Sequence, residues 1–208
     1  MARIALLAPL LIACLAIAQP SSADGQRDGA QRDAGLRDVV AAAISSKPCF
    51  EDKYDDVVWY AVMQPRVEGR LRQKPPDLRL GDDVGAAAQR ILRAVHCESS
   101  KQIMLRDRPQ LVLAVIDVES SFNPFAVSSA GAVGMMQVMP FWPRELGLTT
   151  RDLLDVEMNI RMGTSILAYY LERERGDYRR ALARYNGSLG RRSYPDLVLG
   201  RLNARWQR

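Results

Sequence analysis

Histidine is the residue type that most restricts the chemistry open to this 208-residue chain. His96 is the only histidine. Zinc sites of the HExxH type, or with paired imidazoles, need two histidines and are therefore excluded. A nucleophile–histidine centre would need His96 as its base, but its neighbour Cys97 would point about 100° away from it on a helix. Acid–base chemistry must therefore use carboxylates or tyrosine, and neither a metal nor a cofactor is expected.

Glu119 is the carboxylate whose setting best suits such chemistry. It follows the mostly apolar run 111–118, which predicts a core helix. Pro124 predicts the end of that helix, because the residue before a proline is disfavoured in helical conformation. Burial and the negative end of the helix dipole would both raise the pKa of Glu119, so that it stays protonated as a general acid must. The helix alone is equally compatible with a glutamate that turns into solvent.

The segment that follows Glu119 favours the catalytic interpretation. It is rich in hydroxyl groups and small residues, and it leads into a methionine-flanked glutamine, Gln137. Gly131 and Gly134 would allow the backbone to approach a ligand closely. The amide of Gln137 offers both a donor and an acceptor for the hydroxyl or acetamido groups of a sugar.

The run 119–140 closely resembles the motif of the soluble lytic transglycosylase family, E-S-x-F-x-P-x-A-x-S-x-x-G-A-x-G-x-M-Q-x-M-P, and matches every fixed position. Residues 184–188 are similar to a second family element, the A-Y-N-x-G helix end. They depart from it in two ways: Arg184 replaces the usual alanine, and Gly187 directly follows the asparagine. The segment with Asn159 and Gly163 resembles the intervening N-I-x-x-G helix. The resemblance covers about residues 82–195 and implies a lysozyme-like helical domain with a saccharide cleft.

The resemblance also implies an activity, cleavage of the β-1,4 bond between N-acetylmuramic acid and N-acetylglucosamine in bacterial peptidoglycan. Glu119 would act first as acid and then as base, while the C6 hydroxyl of the muramic acid closes onto C1 to give a 1,6-anhydro product. Ser128 matches the family serine that bonds the catalytic carboxylate or the substrate. Four further residues match substrate-binding positions of the cleft: Gln137, Met139, Tyr185 and Asn186. Tyr185 could also stabilise positive charge near C1.

Two alternatives stay open. A lysozyme-type hydrolase of the same bond needs a second carboxylate roughly 5 to 9.5 Å from the acid. Asp117 lies about 200° around the helix from Glu119 and is expected to face either solvent or the N-terminal region. Four other acids stay open as partners: Glu145, Asp152, Asp155 and Glu157. A non-catalytic peptidoglycan-binding scaffold, the second alternative, would not need Glu119.

The elements that must position these residues are mainly helical, since no segment shows the alternation of a strand. Residues 1–23 have the positive start, apolar core and small-residue cleavage sites of a signal peptide. A lipobox-like stretch leaves lipid anchoring at Cys14 as a lesser alternative. Residues 24–38 repeat Arg-Asp every five positions and predict a flexible polar tether. Residues 39–81 predict a helical accessory segment around Trp59, and residues 82–208 predict the lysozyme-like domain.

Cysteine content and charge complete the picture. Without the leader, Cys49 and Cys97 remain, and two cysteines in an oxidising compartment predict a disulfide. We expect an exported, monomeric protein of the periplasm or cell envelope, with no transmembrane helix in its mature chain. The formal net charge is +5, and the C-terminal segment is rich in arginine. A basic face would hold the protein near anionic peptidoglycan strands, whereas export argues against nucleic acid as a partner.

Overall fold

A computed structural model describes residues 34–46, 57–145 and 147–207. Within these ranges the α-helices are α1 (Ala34–Ser45), α2 (Val57–Arg72), α3 (Val84–Ser100), α4 (Pro109–Glu119), α5 (Phe141–Glu145), α6 (Val156–Arg173), α7 (Tyr178–Asn186) and α8 (Ser193–Arg201). Short 3-10 turns cover Pro76–Leu78 and Thr150–Leu154, and a π-helical turn, Leu202–Trp206, continues α8. Extended pairing in the described residues is limited to isolated bridges of Val133 with Val127 and Val138. The prediction of a mainly helical fold is confirmed.

Aspartates start several of these helices. Asp83 accepts a hydrogen bond from the amide of Ala86 at 3.0 Å and so caps α3. Asp155 and Asp177 cap α6 and α7 in the same way. Such caps satisfy amide groups that have no partner within the helix. At the other end of α7, Gly187 adopts a φ of 74°, which ends the helix in the left-handed region that glycine favours.

Helix α4 runs through the centre of the core, as its apolar sequence predicts. All residues from Leu111 to Ile116 are at most 1% exposed. Helix α4 packs against α3, α8 and the π-helical turn. Because three elements surround it, the end of α4, where Glu119 lies, has a fixed position in the fold.

The accessory helices pack onto the rest of the chain from two sides. Helix α1 lies against α6, whereas α2 lies against α3 and the π-helical turn. Trp59 of α2 is fully buried, and its ring centroid lies 5.3 Å from that of His96 on α3. The only histidine thus packs among aromatic rings of the accessory segment. Trp59 therefore packs on α3, whereas the boundary between residues 39–81 and 82–208 stays a prediction.

One segment differs from its prediction. Helix α1 begins at Ala34 and includes residues 34–38, which the sequence assigned to the flexible tether. Leu36 and Val40 are fully buried. Their i, i+4 spacing places both on one helix face, and burial of that face outweighs the polar repeat around it. The tether assignment is corrected for these five positions.

Several predictions lie outside the described residues. These are the signal peptide at 1–23, lipid attachment at Cys14, the remaining tether and Cys49. Cys97 is buried on α3 with 8% exposure, and its disulfide with Cys49 stays a prediction. Among the described helices, none has the length and apolar character needed to cross a membrane.

Candidate functional site

Glu119 occupies the last position of α4 and is only partly exposed. Burial raises its pKa to about 7, because desolvation disfavours the charged form. A hydrogen bond from Tyr194 acts in the opposite direction but does not offset the burial. The direction of the shift therefore agrees with the expectation from the sequence, and the carboxyl group can exchange a proton near neutral pH.

Tyr194 is the residue that contacts this carboxyl group. Its hydroxyl donates to Oε1 of Glu119 at 2.5 Å from the first turn of α8. Burial and the nearby charge of Glu119 raise the pKa of Tyr194 well above its usual value, so it stays a donor. Among the described residues this is the only hydrogen bond to the Glu119 side chain, and Oε2 stays free of protein partners. The sequence analysis missed Tyr194, because 75 positions separate the pair.

The backbone turns sharply directly after Glu119. Ser121 and Phe122 have φ values of 51° and 64°, a region that favours glycine. Phe122 is fully buried, and its ring lies 5.4 Å from the ring of Trp206. This burial holds the strained turn in place and directs the following loop away from the axis of α4.

Asn159 of α6 anchors that loop. Its Oδ1 accepts from the amide of Met136 at 2.8 Å, and its Nδ2 donates to the carbonyl oxygens of Val133 and Leu153. Gly134 allows this contact, since a Cβ there would lie 2.3 Å from Asn159 Nδ2. Asn159, which belongs to the segment that resembles the family's N-I-x-x-G helix, is therefore a structural link between α6 and the loop.

A second link is formed around Met136. Gly163 faces this side chain, and a Cβ on Gly163 would lie 2.6 Å from Met136 Cβ. Tyr185 donates its hydroxyl to the carbonyl oxygen of Met136 at 2.7 Å and is fully buried. The hydroxyl of Tyr185 therefore supports the loop from inside. The expectation that Tyr185 lines the cleft stays a prediction. Met139 is likewise buried, at 1% exposure.

The other predicted binding residues also hold the loop together. Gln137 is 4% exposed, and its Nε2 donates to the carbonyl oxygens of Ala126 and Gly134. Ser128 is half-buried, and its Oγ accepts from the amide of Ala132 at 3.0 Å rather than bonding Glu119. Asn186 is 7% exposed at the end of α7. Substrate contact by Ser128, Gln137 and Asn186 stays a prediction.

The candidate second carboxylates are engaged elsewhere. Asp152 and Asp155 bond the amides of Thr149 and Met158 at helix starts, and Glu157 forms an ion pair with Arg90. The side chain of Glu145 lies outside the described residues. No carboxylate among the described residues contributes to the pKa of Glu119.

Asp117 is buried on the opposite side of α4. Its side chain has no exposed surface and bonds Arg70 of α2 at 2.8 Å. Weaker contacts come from Arg205 and Trp206. Of the two orientations expected for Asp117, the one towards the N-terminal region is confirmed. Metal ligands are not clustered in the described part of the chain, where no three His, Cys, Asp or Glu side chains come together.

Comparison with known proteins agrees with this picture. Residues 97–194 match the family described as "Transglycosylase SLT domain". The "Transglycosylase" of Enterobacteria phage PRD1 is 37% identical over 102 residues, which cover 46% of this chain and 37% of the relative. "Membrane-bound lytic murein transglycosylase C" of Edwardsiella ictaluri is 36% identical over 96 residues, covering 38% of this chain and 27% of the relative. The matched region therefore spans between about a quarter and somewhat more than a third of these relatives' length. The resemblance identified in the sequence is confirmed.

Proposed function

We propose that this chain, whose residues 97–194 form a transglycosylase SLT domain, is a peptidoglycan lytic transglycosylase with Glu119 as its single acid and base. The bond cleaved would be the β-1,4 linkage from N-acetylmuramic acid to N-acetylglucosamine. The observation that carries the proposal is the pKa of Glu119, which burial raises to about 7 at the end of the core helix α4. The names of the relatives support the same class of reaction.

The reaction needs one carboxyl group in two protonation states. Protonated Glu119 gives its proton to the glycosidic oxygen as the bond to C1 of the muramic acid breaks. The resulting carboxylate then takes the proton of the C6 hydroxyl, whose oxygen bonds C1 to form the 1,6-anhydro ring. Water is neither consumed nor released, and Glu119 ends protonated for the next cycle. A group with its pKa near 7 serves well in both steps at neutral pH.

Tyr194 acts in this scheme as a positioning residue. Because its hydroxyl occupies Oε1 of Glu119, the transferable proton is directed to Oε2. The loop that Asn159, Gly163 and Tyr185 hold in place would form the adjoining wall of the saccharide site. In this arrangement Ser128, Gln137 and Asn186 are proposed to contact the sugar, as the family resemblance implies.

Hydrolysis of the same bond is the competing reaction. It would require a carboxylate that activates water on the far side of the sugar or attacks C1. Asp152, Asp155 and Glu157 are held by other partners, and Asp117 faces Arg70. This distribution favours the intramolecular reaction. A non-catalytic scaffold is disfavoured because it would not need an acid whose pKa burial raises to about 7.

We further propose that the protein acts on the cell envelope after export, as a monomer on glycan strands. Membrane-bound relatives support an envelope location. The basic C-terminal segment would add electrostatic attraction to anionic strands.

Digestion of purified cell-wall sacculi tests the proposal. The expected result is release of fragments that end in 1,6-anhydro-muramic acid, identified by mass spectrometry. Glu119→Gln, shown by circular dichroism to be folded, is expected to lose this activity by about 100-fold or more. Reducing-end sugars in place of anhydro ends would identify a hydrolase, and full activity of Glu119→Gln would remove Glu119 from the mechanism.

A further inference from the structure

A short exposed loop, residues 187–192, connects two parts of the site. It begins after Asn186, at the end of α7, and ends just before Tyr194, which bonds Glu119. The amide of Arg191 donates to the carbonyl oxygen of Ser188 at 2.8 Å, so the loop makes a tight turn there. Arg191, the last residue of this turn, lies three positions before Tyr194, the hydrogen-bond partner of Glu119. Leu189 and Arg191 both point out of the fold, and Leu189 is 48% exposed.

Five arginines of the C-terminal segment form ion pairs with acids. Arg180 and Arg184 pair with Glu174. Arg179 and Arg192 share Asp196. Arg205 contacts the buried Asp117.

Arg191 has no such acidic partner among the described residues, and it lies in the loop that leads to Tyr194. Its side chain is exposed and forms no hydrogen bond or ion pair with the described residues. A free guanidinium presents several donors in a plane, a geometry that matches a carboxylate. A positive charge left unpaired beside a substrate site favours an anionic group on the substrate.

Peptidoglycan offers such a group close to the bond that is cleaved. The muramic acid bears a peptide on its lactyl group, and this peptide carries free carboxylates and alanine methyl groups. We propose that Arg191 binds a carboxylate of this peptide, so that the chain prefers peptide-bearing glycan over bare glycan. The exposed Leu189 in the same turn would contact the apolar part of the peptide. This inference rests on the proposed function.

The test compares two glycans. One is solubilised peptidoglycan strands with their peptides, and the other is the same strands after an amidase has removed the peptides. We expect Arg191→Ala to lose about 5- to 10-fold in kcat/KM on the peptide-bearing strands at low salt, and less than about 2-fold on bare strands. Arg191→Lys is expected to retain part of the preference, since the charge remains but the planar geometry is lost.

Arg201→Ala is the matched control. Arg201 is also free of side-chain partners among the described residues and carries the same charge, but it lies at the far end of α8. That position is about 12 Å along the helix from Ser193. Its substitution is expected to leave both rates within about 2-fold of the unaltered chain. An equal loss on both substrates, or an equal loss in both variants, would overturn the role of Arg191.

A binding measurement separates this inference from the proposed function. Glu119→Gln, alone and combined with Arg191→Ala, is co-sedimented with insoluble sacculi before and after amidase treatment. Arg191→Ala is expected to weaken binding to untreated sacculi only. If the unaltered chain cleaves no glycan yet Arg191 governs binding in this way, the proposed activity fails and the recognition stands. If binding does not depend on the peptides, the recognition fails whatever the activity.

Discussion

The hydroxyl of Tyr194 donates a hydrogen bond to Oε1 of Glu119 across 2.5 Å, from the start of α8 to the end of α4. Two effects on Glu119 therefore compete. Burial raises its pKa, and this bond stabilises the carboxylate and lowers it, with burial the larger effect. The balance places the pKa at about 7, where one group can serve as acid and as base.

Tyr194→Phe is expected to move the alkaline limb of the pH–rate profile to higher pH. Without the donated bond only the burial effect remains, so the pKa of Glu119 rises further. The rate at the optimum is expected to fall about 10- to 100-fold, because the carboxyl group loses its orientation. The measurement is kcat/KM on soluble peptidoglycan fragments between pH 5 and 9.

Tyr178→Phe serves as the control for that profile. Tyr178 packs its ring under the guanidinium of Arg108 at 5.3 Å and does not bond Glu119. Its profile should superimpose on that of the unaltered chain. If the alkaline limb of the pH–rate profile stays in place or moves to lower pH in Tyr194→Phe, the hydrogen bond from Tyr194 does not lower the pKa of Glu119.

The raised pKa of Glu119 also predicts how stability depends on pH. Because the folded chain holds this proton up to about pH 7, whereas the unfolded chain releases it near 4.5, stability contributed by the protonated acid is lost as pH rises between these values. Glu119→Gln stays neutral, so it is expected to be more stable than the unaltered chain at pH 8 by up to about 3 kcal/mol. At pH 4.5 the two should be nearly equal. Urea denaturation at both pH values measures the difference.

Glu157→Gln provides a control in which the expected change in stability has the opposite sign. Burial opposes the charge of Glu157, but hydrogen bonds and charge from Arg90 overcome it and lower the pKa of Glu157. Its stabilising effect is therefore present at neutral pH and lost as pH falls through the lowered pKa. Glu157→Gln is expected to be less stable than the unaltered chain at pH 8. If both glutamine variants changed the free energy of unfolding in the same direction at pH 8, the opposite pKa shifts of Glu119 and Glu157 would be refuted.

Alanine substitutions at two glycines of the loop distinguish the cost of backbone strain from the cost of a steric clash. Gly134 and Gly131 have similar φ values, 81° and 85°, but only at Gly134 would a Cβ contact Asn159. Gly131→Ala is expected to cost about 1 kcal/mol from strain alone. Gly134→Ala is expected to cost about 3 kcal/mol or more, because Asn159 must move and its bond to Met136 is broken.

Activity provides the second measurement for this pair. Under conditions where both variants are fully folded, Gly134→Ala should lose most of its glycan cleavage and Gly131→Ala should retain most of it. Equal stability and equal activity of the two variants would show that the link from Asn159 does not shape the site.

The sequence predicts the parts of this site that depend on neighbours along the chain. An apolar run followed by Pro124 is enough to place Glu119 at the end of a buried helix, since local burial and backbone restriction determine both. The family resemblance adds Asn159 and Gly163, although the structure shows that they support the loop. For Tyr185 the family resemblance implies a substrate contact, but only the packing of the helices reveals that its hydroxyl bonds the carbonyl oxygen of Met136.

Contacts between distant segments could not be predicted in this way. Tyr194 has no local pattern that relates it to Glu119, and the pairing follows from how α8 packs on α4. The start of α1 was misplaced for a similar reason. Its polar repeat suggests a tether, and only the surface of α6 explains why Leu36 is buried.

The ion pair between Arg70 and Asp117 connects the accessory helix α2 to the helix that ends in Glu119. Asp117 is fully buried, and Arg70 is its closest charged partner at 2.8 Å. Arg70→Ala is expected to cost about 3 kcal/mol, because a buried carboxylate loses its main partner. Arg72→Ala on the same helix removes only a pair with Glu68 in which Arg72 is exposed, and it should cost less than about 1 kcal/mol.

A second substitution tests whether the lost charge is the cause. Adding Asp117→Asn to Arg70→Ala removes the unpaired carboxylate, so the double variant should recover part of the stability lost in Arg70→Ala. Arg205 and Trp206 still contact this position and can bond the amide oxygen. Urea denaturation of the unaltered chain, Arg70→Ala, Asp117→Asn and the double variant gives the coupling free energy between the two residues. If Arg70→Ala and Arg72→Ala cost the same, or if Asp117→Asn makes the double variant less stable still, the pair does not hold α2 against α4.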